Sequence, residues 1–511
     1  MDPTKYDQAV MDACSDLDVD WDHSRHVADL CDQFYDQAKH LHGLTKTHAP
    51  LLRAAAMLHD ICAAEDKERH HLEAADAVKR LDVPGLSDYQ RNVLAEAIKL
   101  HPGRVDVSSF VHRADDDTAL EHEIAGRIAA VLRIADGLDR SRSHESKLMG
   151  LMETGSEIEA IVSGGNGLAE DIKAAGDKAD LWNGVMYRPI RLVKALTADQ
   201  VIPPLIQPGD TLAGAAAKIM LRQFEKFRCR LYGLPYDHDV EFVHETRVAT
   251  RRMRTALRMV RKKMGNQGQQ WNDELKWVAN ALGRVRDDDV LLIWLEQYVG
   301  ALDEEPPAVR ELIGSIRTER QTHFRSMLAE LDSERFEQFL EHFDKALTTP
   351  PGNEGGMQFE KSGPLEPLWQ QGPKILHKRL DKVMKRSGKL KKMSGKELHK
   401  LRIACKRTRY TGEFLRELYP SELEDLTDAM ENMQDDLGEV HDVDVWTDRI
   451  EGHLANLPSA PSPEEPGIAD LLQKLQDRRE EYLTSACKTW DKFTDKQLDD
   501  ARDLIDTPNR P

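Results

Sequence analysis

Two sets of residues in this 511-residue chain have the types and spacing to do chemistry. The first is cationic and is written twice. His244, Arg247, Arg251, Arg252 and Arg254 recur 155 positions later as His399, Arg402, Lys406, Arg407 and Arg409. Arg258 continues the first copy, but its counterpart is Glu413, which breaks the symmetry and marks the edge of the basic row. A matching acidic turn follows each copy, Leu282-Gly283-Arg284-Val285-Arg286-Asp287-Asp288-Asp289-Val290 and Leu437-Gly438-Glu439-Val440-His441-Asp442-Val443-Asp444-Val445. The second set combines imidazole with carboxylate: His23, the pair His59-Asp60, the pair His70-His71, His101 and Asp136.

On a helix His244, Arg247, Arg251, Arg254, Arg258 and Arg261 fall on one face, with Ala249, Met253, Ala256 and Val260 opposite. A row of guanidinium groups one helical turn apart repels itself. Phosphate oxygens would relieve that repulsion, because the planar arginine fork matches them two at a time. One basic stripe is ordinarily a solvated surface. Eleven identities held in phase (244, 247, 249, 252, 254, 282, 283, 285, 287, 289 and 290) are not what solvated charge produces, so the repeat implies a long anionic ligand. Asp287, Asp289, Asp442 and Asp444 are expected to orient the arginines, or to cap structure, and not to touch that ligand.

A single histidine on an apolar helix is usually a core residue. His59-Asp60 says more, because it directly follows Ala54-Ala55-Ala56-Met57-Leu58, and two polar groups buried there without a partner would be costly. Imidazole with carboxylate suits a divalent metal such as Mn, Fe or Co, with Mg also compatible.

The formal charge of −19 argues against a general nucleic-acid binder. Positive charge is concentrated instead: residues 247–263 hold six Arg and two Lys with no acid, and 374–392 hold nine basic residues against Asp381 alone. Tyr410 and Phe414 are too few to stack single-stranded bases, which makes nucleic acid the weakest partner. Six scattered cysteines without metal-type spacing read as reduced thiols. The opening residues lack a secretory pattern and no apolar run reaches the ~18 residues of a membrane span. A soluble, cytoplasmic protein without a membrane partner is expected.

The elements that must position these groups are mainly α-helical. Helical periodicity dominates 1–147. A small α/β appendix is expected over 148–195, with a strand at Ile158–Val162, a helix over Asp171–Trp182 and a strand at Arg188–Val193. Pro- and Gly-containing residues 196–209 read as a linker, and Val83-Pro84-Gly85 as a break. Residues 210–505 resume the helical pattern as two repeats, about 210–347 and 368–505. A period of 155 is too long for a solenoid, so two duplicated helix bundles are expected.

The duplicated basic motif resembles the CHAD family, the conserved-histidine α-helical domain. That resemblance implies two four-helix bundles about a pseudo-two-fold axis and a basic channel for inorganic polyphosphate. It assigns binding to His244, Arg247, Arg251, Arg252, Arg254 and Arg258, and to His399, Arg402, Lys406, Arg407 and Arg409. Residues 5–195 resemble an HD-domain phosphohydrolase, and more narrowly the carboxy-terminal HD module of the Ppx/GppA exopolyphosphatases. The carriers are Asp22-His23-Ser24-Arg25-His26-Val27-Ala28, Leu58-His59-Asp60-Ile61, Leu81-Asp82-Val83-Pro84-Gly85-Leu86-Ser87 and Ile134-Ala135-Asp136-Gly137-Leu138-Asp139-Arg140-Ser141. This second resemblance implies that His23, His59, Asp60 and Asp136 hold one divalent metal. His71 and His101 would complete a two-metal site bridged by Asp60, with Asp60, His71 and His101 as its catalytic members. Arg104, Arg140 and Arg142 are weaker candidates for phosphate contact.

Cys62 replaces the glycine that the family carries after His-Asp-Ile, and the choice between His70 and His71 stays open. No counterpart of the glycine-rich phosphatase domain that accompanies this module elsewhere is found in the sequence, so hydrolysis would rest on the HD metals. The combined expectation is a polyphosphate-binding phosphohydrolase, associated with polyphosphate granules and acting on polyphosphate or nucleotides. The alternative is a non-catalytic polyphosphate-binding protein whose HD fold is degenerate or senses nucleotides.

Overall fold

The computed structural model describes residues 3–64, 69–81, 86–103, 105, 118–154, 157–186, 188–197, 205–360, 365–419, 423–456, 462 and 465–511. Arg104, the break at 82–85, part of the linker (198–204) and part of the Gly- and Pro-rich segment between the repeats (361–364) lie outside the described residues. The protein is mainly α-helical with one small sheet, and it divides into two compact units. One is Met1–Pro203 with Glu225–Thr246; the other is Pro204–Phe224 with Arg247–Pro511.

The first unit begins with α1 (Pro3–Ala13), α2 (Trp21–Gln37), α3 (Ala49–Leu58), α4 (His70–Val78), α5 (Asp88–Lys99) and α6 (Ala119–Gly137). α6 is buried on almost every side, and α2, α3 and α5 pack around it. A helix apolar all round has no stable place except such a centre. Helix starts are fixed by side chains: Asp20 accepts from the His23 backbone at 3.2 Å, and Ser87 with Gln90 forms a reciprocal capping box on α5. Buried Arg53 of α3 draws in Asp7 of α1 and Asp32 of α2 at 2.6 and 2.5 Å.

The appendix follows as β1 (Lys147–Thr154), β2 (Glu157–Ser163), α7 (Leu168–Asp177), α8 (Asp180–Val185) and β3 (Ile190–Lys194). The strand order is β1-β2-β3, antiparallel between β1 and β2 and parallel between β2 and β3. The crossover from β2 to β3 needs helical length, which α7 and α8 supply. The single helix expected over Asp171–Trp182 is therefore two, divided at Lys178-Ala179. β1 has no counterpart in the sequence reading, because Leu148-Met149-Gly150-Leu151-Met152 lacks β-branched residues and strict alternation.

Residues 225–246 complete this unit. Buried Arg230 donates to the carbonyls of Lys39 and Leu44 at 3.1 and 3.0 Å and pairs with Glu245 at 2.7 Å. Gly43 lies beside Cys229 at φ +70°, and a Cβ there would stand 2.2 Å from the Cys229 carbonyl oxygen. Only glycine fits that approach.

The second unit holds α9 (Leu212–Arg228, to Phe224), α10 (Val240–Val260, from Arg247), α11 (Gly265–Gly300), α12 (Pro307–Leu331) and α13 (Glu334–Thr348). Its second half is α14 (Leu368–Met384), α15 (Gly395–Leu415), α16 (Glu424–Leu454), α17 (Pro466–Lys496) and α18 (Leu498–Ile505). The sequence repeat is a structural repeat. α10 and α15 start and stop at the same offset, and so do the 3-10 turns Arg261–Lys263 and Arg416–Leu418. The halves share one core in which Leu291, Leu295, Leu312 and Ile316 are clustered with Val443, Trp446, Ile450 and Leu471. Trp294 and Trp446 stack at 5.5 Å between centroids. Buried Asp288 ties the halves together further, pairing with Arg449 of α16 and His323 of α12 at 2.6 and 2.7 Å. Among the described residues no helix is long and apolar enough to cross a membrane.

Candidate functional site

In the first unit, three helices deliver donors from their C-terminal ends. His59 caps α3, His101 follows the last turn of α5, and Asp136 lies in the last turn of α6. Helix C-termini carry partial negative charge, so their convergence favours a cation. α2 adds His23, the residue after His59 adds Asp60, and the first residue of α4 adds His70.

Three of these imidazoles, His23, His59 and His101, have Nδ1 occupied. His23 Nδ1 is 2.7 Å from Asp139 Oδ2, His59 Nδ1 2.8 Å from the Ala56 carbonyl and His101 Nδ1 2.6 Å from the Ile98 carbonyl. The proton therefore sits on Nδ1 and the Nε2 lone pair faces inward. His23 Nε2 is 3.3 Å from His59 Nε2 and 3.5 Å from Asp136 Oδ1. On the other side of Asp60, His70 Nε2 and His101 Nε2 are 3.1 Å apart and lie 3.4 and 3.6 Å from Asp60 Oδ1. Lone pairs this close repel each other unless a cation or a proton lies between them. His23, His59 and Asp60, then His59, His101 and Asp136, then Asp60, His70 and His101 each bring their ligand atoms within 4.8 Å. That donor set fits a borderline divalent ion.

Burial and charge work against each other here. Burial pushes the Asp60 carboxyl up, but the imidazoles of His59 and His101 hold it well below the ordinary range. Burial likewise opposes ionised Asp136, and Lys178 with His23 and His59 overcomes it. Burial lowers His101 to about 4 against the pull of Asp60, so its ring stays neutral and able to ligate.

The expectation for His71 is corrected by the structure. His70 opens α4 and reaches Asp60 and His101; His71 is turned about 100° round the helix from it. The His71 ring lies 6.4 Å from that of His101, and its Nδ1 is buried without a partner. Of the arginines named for phosphate contact, Arg142 reaches Asp60 Oδ2 at 3.3 Å and is half-exposed. No ion pair ties Arg140 to the cluster among the described residues. Three supporting residues escape the sequence reading. Asp139 orients His23, Lys178 pairs with Asp136, and fully buried Arg133 gathers the carbonyls of Leu100, His101, Pro102 and Gly103 at 2.7–3.2 Å together with Asp180. The only sequence signal for Arg133 is a charged residue inside the apolar stretch Ile128–Ala135.

In the second unit α10 and α15 place their basic rows against each other. Lys406 is lowered to about 6, first by burial and then by Arg251, Arg402, Arg247 and Arg407. Burial and Arg407, with Arg254, Arg379 and Arg261, lower Arg258 to about 9. The Nε atoms of Arg251, Arg254 and Arg402 are buried without a partner. At one end Arg247 meets Asp287 at 3.3 Å and Arg402 meets Asp442 at 4.0 Å. Burial raises both acids, Asp442 to about 6. Asp289 and Asp444 are instead held by Arg320 and Arg479 at 2.8 and 2.6 Å, the expected structural role.

Not every expected member belongs to the free cationic set. Arg252 and Arg409 both pair with Glu413, at 2.6 and 2.7 Å, and Arg409 also meets Glu431 at 2.6 Å. His399 lines a cavity of about 750 Å³ with Lys396, Lys400, His441 and Arg479, its ring 4.2 Å from that of His441. His244 belongs to the segment of α10 counted with the first unit. Arg379 of α14, which no motif singles out, joins the cluster at Arg407.

Solved structures to which this chain is similar include the following two. A CHAD domain from the plant Ricinus communis is 22% identical, covers 62% of this chain and 99% of its own, and superposes with a TM-score of 0.42. PptA from Streptomyces chartreusis is 18% identical and covers 55% of this chain and 100% of its own, with a TM-score of 0.38. Residues 7–162 match the Ppx/GppA phosphatase family, domain III, and residues 218–451 match the CHAD domain family. These matches support an amino-terminal Ppx/GppA-type module followed by a CHAD domain.

Proposed function

We propose that the seam between α10 and α15 binds inorganic polyphosphate, and that the first unit is a divalent-metal-dependent hydrolase of phosphoanhydrides in polyphosphate or nucleotides. The observation that carries the binding half is uncompensated charge. Burial first, and then neighbouring guanidinium groups, lower the proton affinity of Arg254, Arg258, Arg379 and Arg407; Asp273 offsets this in part at Arg254, and no ion pair is made by any of the four among the described residues. A chain of phosphates supplies the missing counter-charge at the spacing of successive helical turns, in the geometry arginine forks accept. Both families matched by the chain, CHAD and Ppx/GppA, are linked to polyphosphate, which supports the same ligand.

For the hydrolytic half, His23, His59, Asp60 and Asp136 would hold one ion, with His70 and His101 available beside Asp60 for a second. The ion, taken as Mn, Fe, Co or Mg, would polarise a phosphoryl oxygen and make bound water acidic. Asp139 and the carbonyls of Ala56 and Ile98 fix the three rings, and Arg142 can offer its guanidinium to a phosphate oxygen. One observation favours the non-catalytic reading: Lys178 on Asp136 and Arg142 on Asp60 give both carboxylates a cationic partner without any metal.

The deciding experiment measures phosphate release, with Mn present, from polyphosphate, guanosine tetraphosphate and dinucleoside polyphosphates. Wild type should release phosphate and Asp60→Ala should not. Release from nucleotides alone moves the substrate to that class. Binding of polyphosphate without release from any substrate leaves the non-catalytic reading.

A further inference from the structure

The repeat relates Arg252 to Arg407, Arg254 to Arg409 and Arg258 to Glu413. The contacts follow the same exchange. Glu413 of α15 meets Arg252 of α10, and Arg258 of α10 is set against Arg407 of α15. Two equivalent triads therefore occupy repeat-related places in the seam, and a single substitution makes them electrically unequal: one sets a carboxylate between two guanidinium groups, the other is three guanidinium groups.

The triad of Glu413, Arg252 and Arg409 is satisfied. Both arginines bond to the carboxylate, and Arg252 also lies 4.9 Å from the Tyr410 ring centroid and 5.3 Å from that of Phe414. Its charges are spent on each other and on Glu431. The triad of Arg258, Arg254 and Arg407 has no acid within it. It is enlarged by Arg379 of α14 and approached by Arg261, and the Arg254 Nε is buried without a partner. Four guanidinium groups held together by the surrounding packing create a strong local demand for anionic oxygen, and the packing cost is already borne by the fold.

Resting on the polyphosphate reading above, we infer that the seam is one-ended. Arg254, Arg258, Arg379 and Arg407 anchor the phosphate chain, and Glu413 closes the opposite pole and limits how many phosphates the seam can engage. In a seam with an arginine at both repeat-related positions the two poles would compete equally for the chain. Glu413 removes that degeneracy twice, by neutralising two arginines and by presenting a carboxylate to any phosphate that extends past Tyr410.

The test measures affinity for inorganic polyphosphate of graded chain length, at fixed salt, on the full chain. Arg258→Gln should weaken binding at least tenfold, and Arg409→Gln distinctly less. Glu413→Gln should tighten binding, and Glu413→Arg should tighten it further and raise the chain length at which affinity stops increasing. Thermal melting identifies any variant that fails to fold, in which case the Arg258→Gln and Arg409→Gln comparison decides. Equal losses in those two variants, or no gain in a folded Glu413 variant, overturn the one-ended seam while leaving polyphosphate binding intact. Wild type that binds no polyphosphate removes the underlying reading instead.

Discussion

The two candidate sites handle charge in opposite ways. In the first unit each of the three imidazoles His23, His59 and His101 has an acceptor on Nδ1, and both carboxylates have a cation. In the second unit like charges are pressed together, and three arginine Nε atoms are buried unpaired. The first arrangement is preorganised: its ligand atoms are fixed before anything binds, as tight coordination requires. The second stores repulsion that a flexible polyanion can discharge. The site proposed for a borderline divalent ion and the seam proposed for a long polyanion thus differ less in residue type than in how completely their polar groups are satisfied beforehand.

The comparison is most easily broken by reversing charge in the seam. Arg251→Glu with Arg254→Glu should lower polyphosphate affinity by at least about a hundredfold, since disrupting one close charge pair at an interface costs about 2–5 kcal/mol. The same double variant should melt no lower than wild type, because it removes like-charge repulsion. Affinity within threefold of wild type, measured by titration at fixed salt, would reject the seam as the binding surface.

A smaller effect should come from the orienting residue of the metal-type cluster. Asp139→Asn withdraws the anionic acceptor behind His23 without touching the inward-facing atoms. Loss of such a partner typically costs about 10–100-fold in metal affinity. Titration with Mn should show that loss in a protein that still melts cooperatively. Undiminished Mn affinity would reduce Asp139 to a loop anchor for His144, whose backbone and ring it also accepts, at 2.9 and 2.8 Å.

What could be read from the sequence follows the same division. The duplicated helices were visible because a repeat is its own control: α10 and α15 keep the offset of their motifs to the residue. His59-Asp60 stood out because two polar groups directly after an apolar run need partners, whereas the metal role of His23, His101 and Asp136 rested on the resemblance to the HD family. His70 and His71 could not be separated, since adjacent positions share every local signal and only the start of α4 decides which faces Asp60. Arg133, Asp139, Lys178 and Arg379 act through partners distant in sequence, such as Lys178 on Asp136 and Arg133 on the α5 loop. β1 was hidden because Leu, Met and Gly carry little strand preference, and pairing with β2 supplies what composition does not. The role of Glu413 needed the partner helix to be seen.

The least disruptive way to sharpen the contrast is pH. Lys406 is packed against Arg247 and Arg251 of α10 and Arg402 and Arg407 of its own helix, and with burial these bring it from 10.5 to about 6. At pH 7.5 the free protein therefore holds Lys406 mostly neutral. A bound polyanion raises its proton affinity, so binding takes up a proton and linkage makes binding tighter as pH falls. Asp442, raised to about 6, acts in the same direction, because protonation below that pH removes a carboxylate from the end of the row. His441 is lowered to about 4 and His399 is also lowered, so neither contributes a step in this range unless the ligand shifts it. Affinity should accordingly rise roughly tenfold from pH 7.5 to pH 6, since one linked proton changes affinity by up to about tenfold per pH unit. In Lys406→Arg the charge is permanent, and the slope should shrink to what Asp442 supplies. A slope unaffected by that substitution would place the linked proton elsewhere, and a flat wild-type profile would mean that Lys406 is already charged in the free seam.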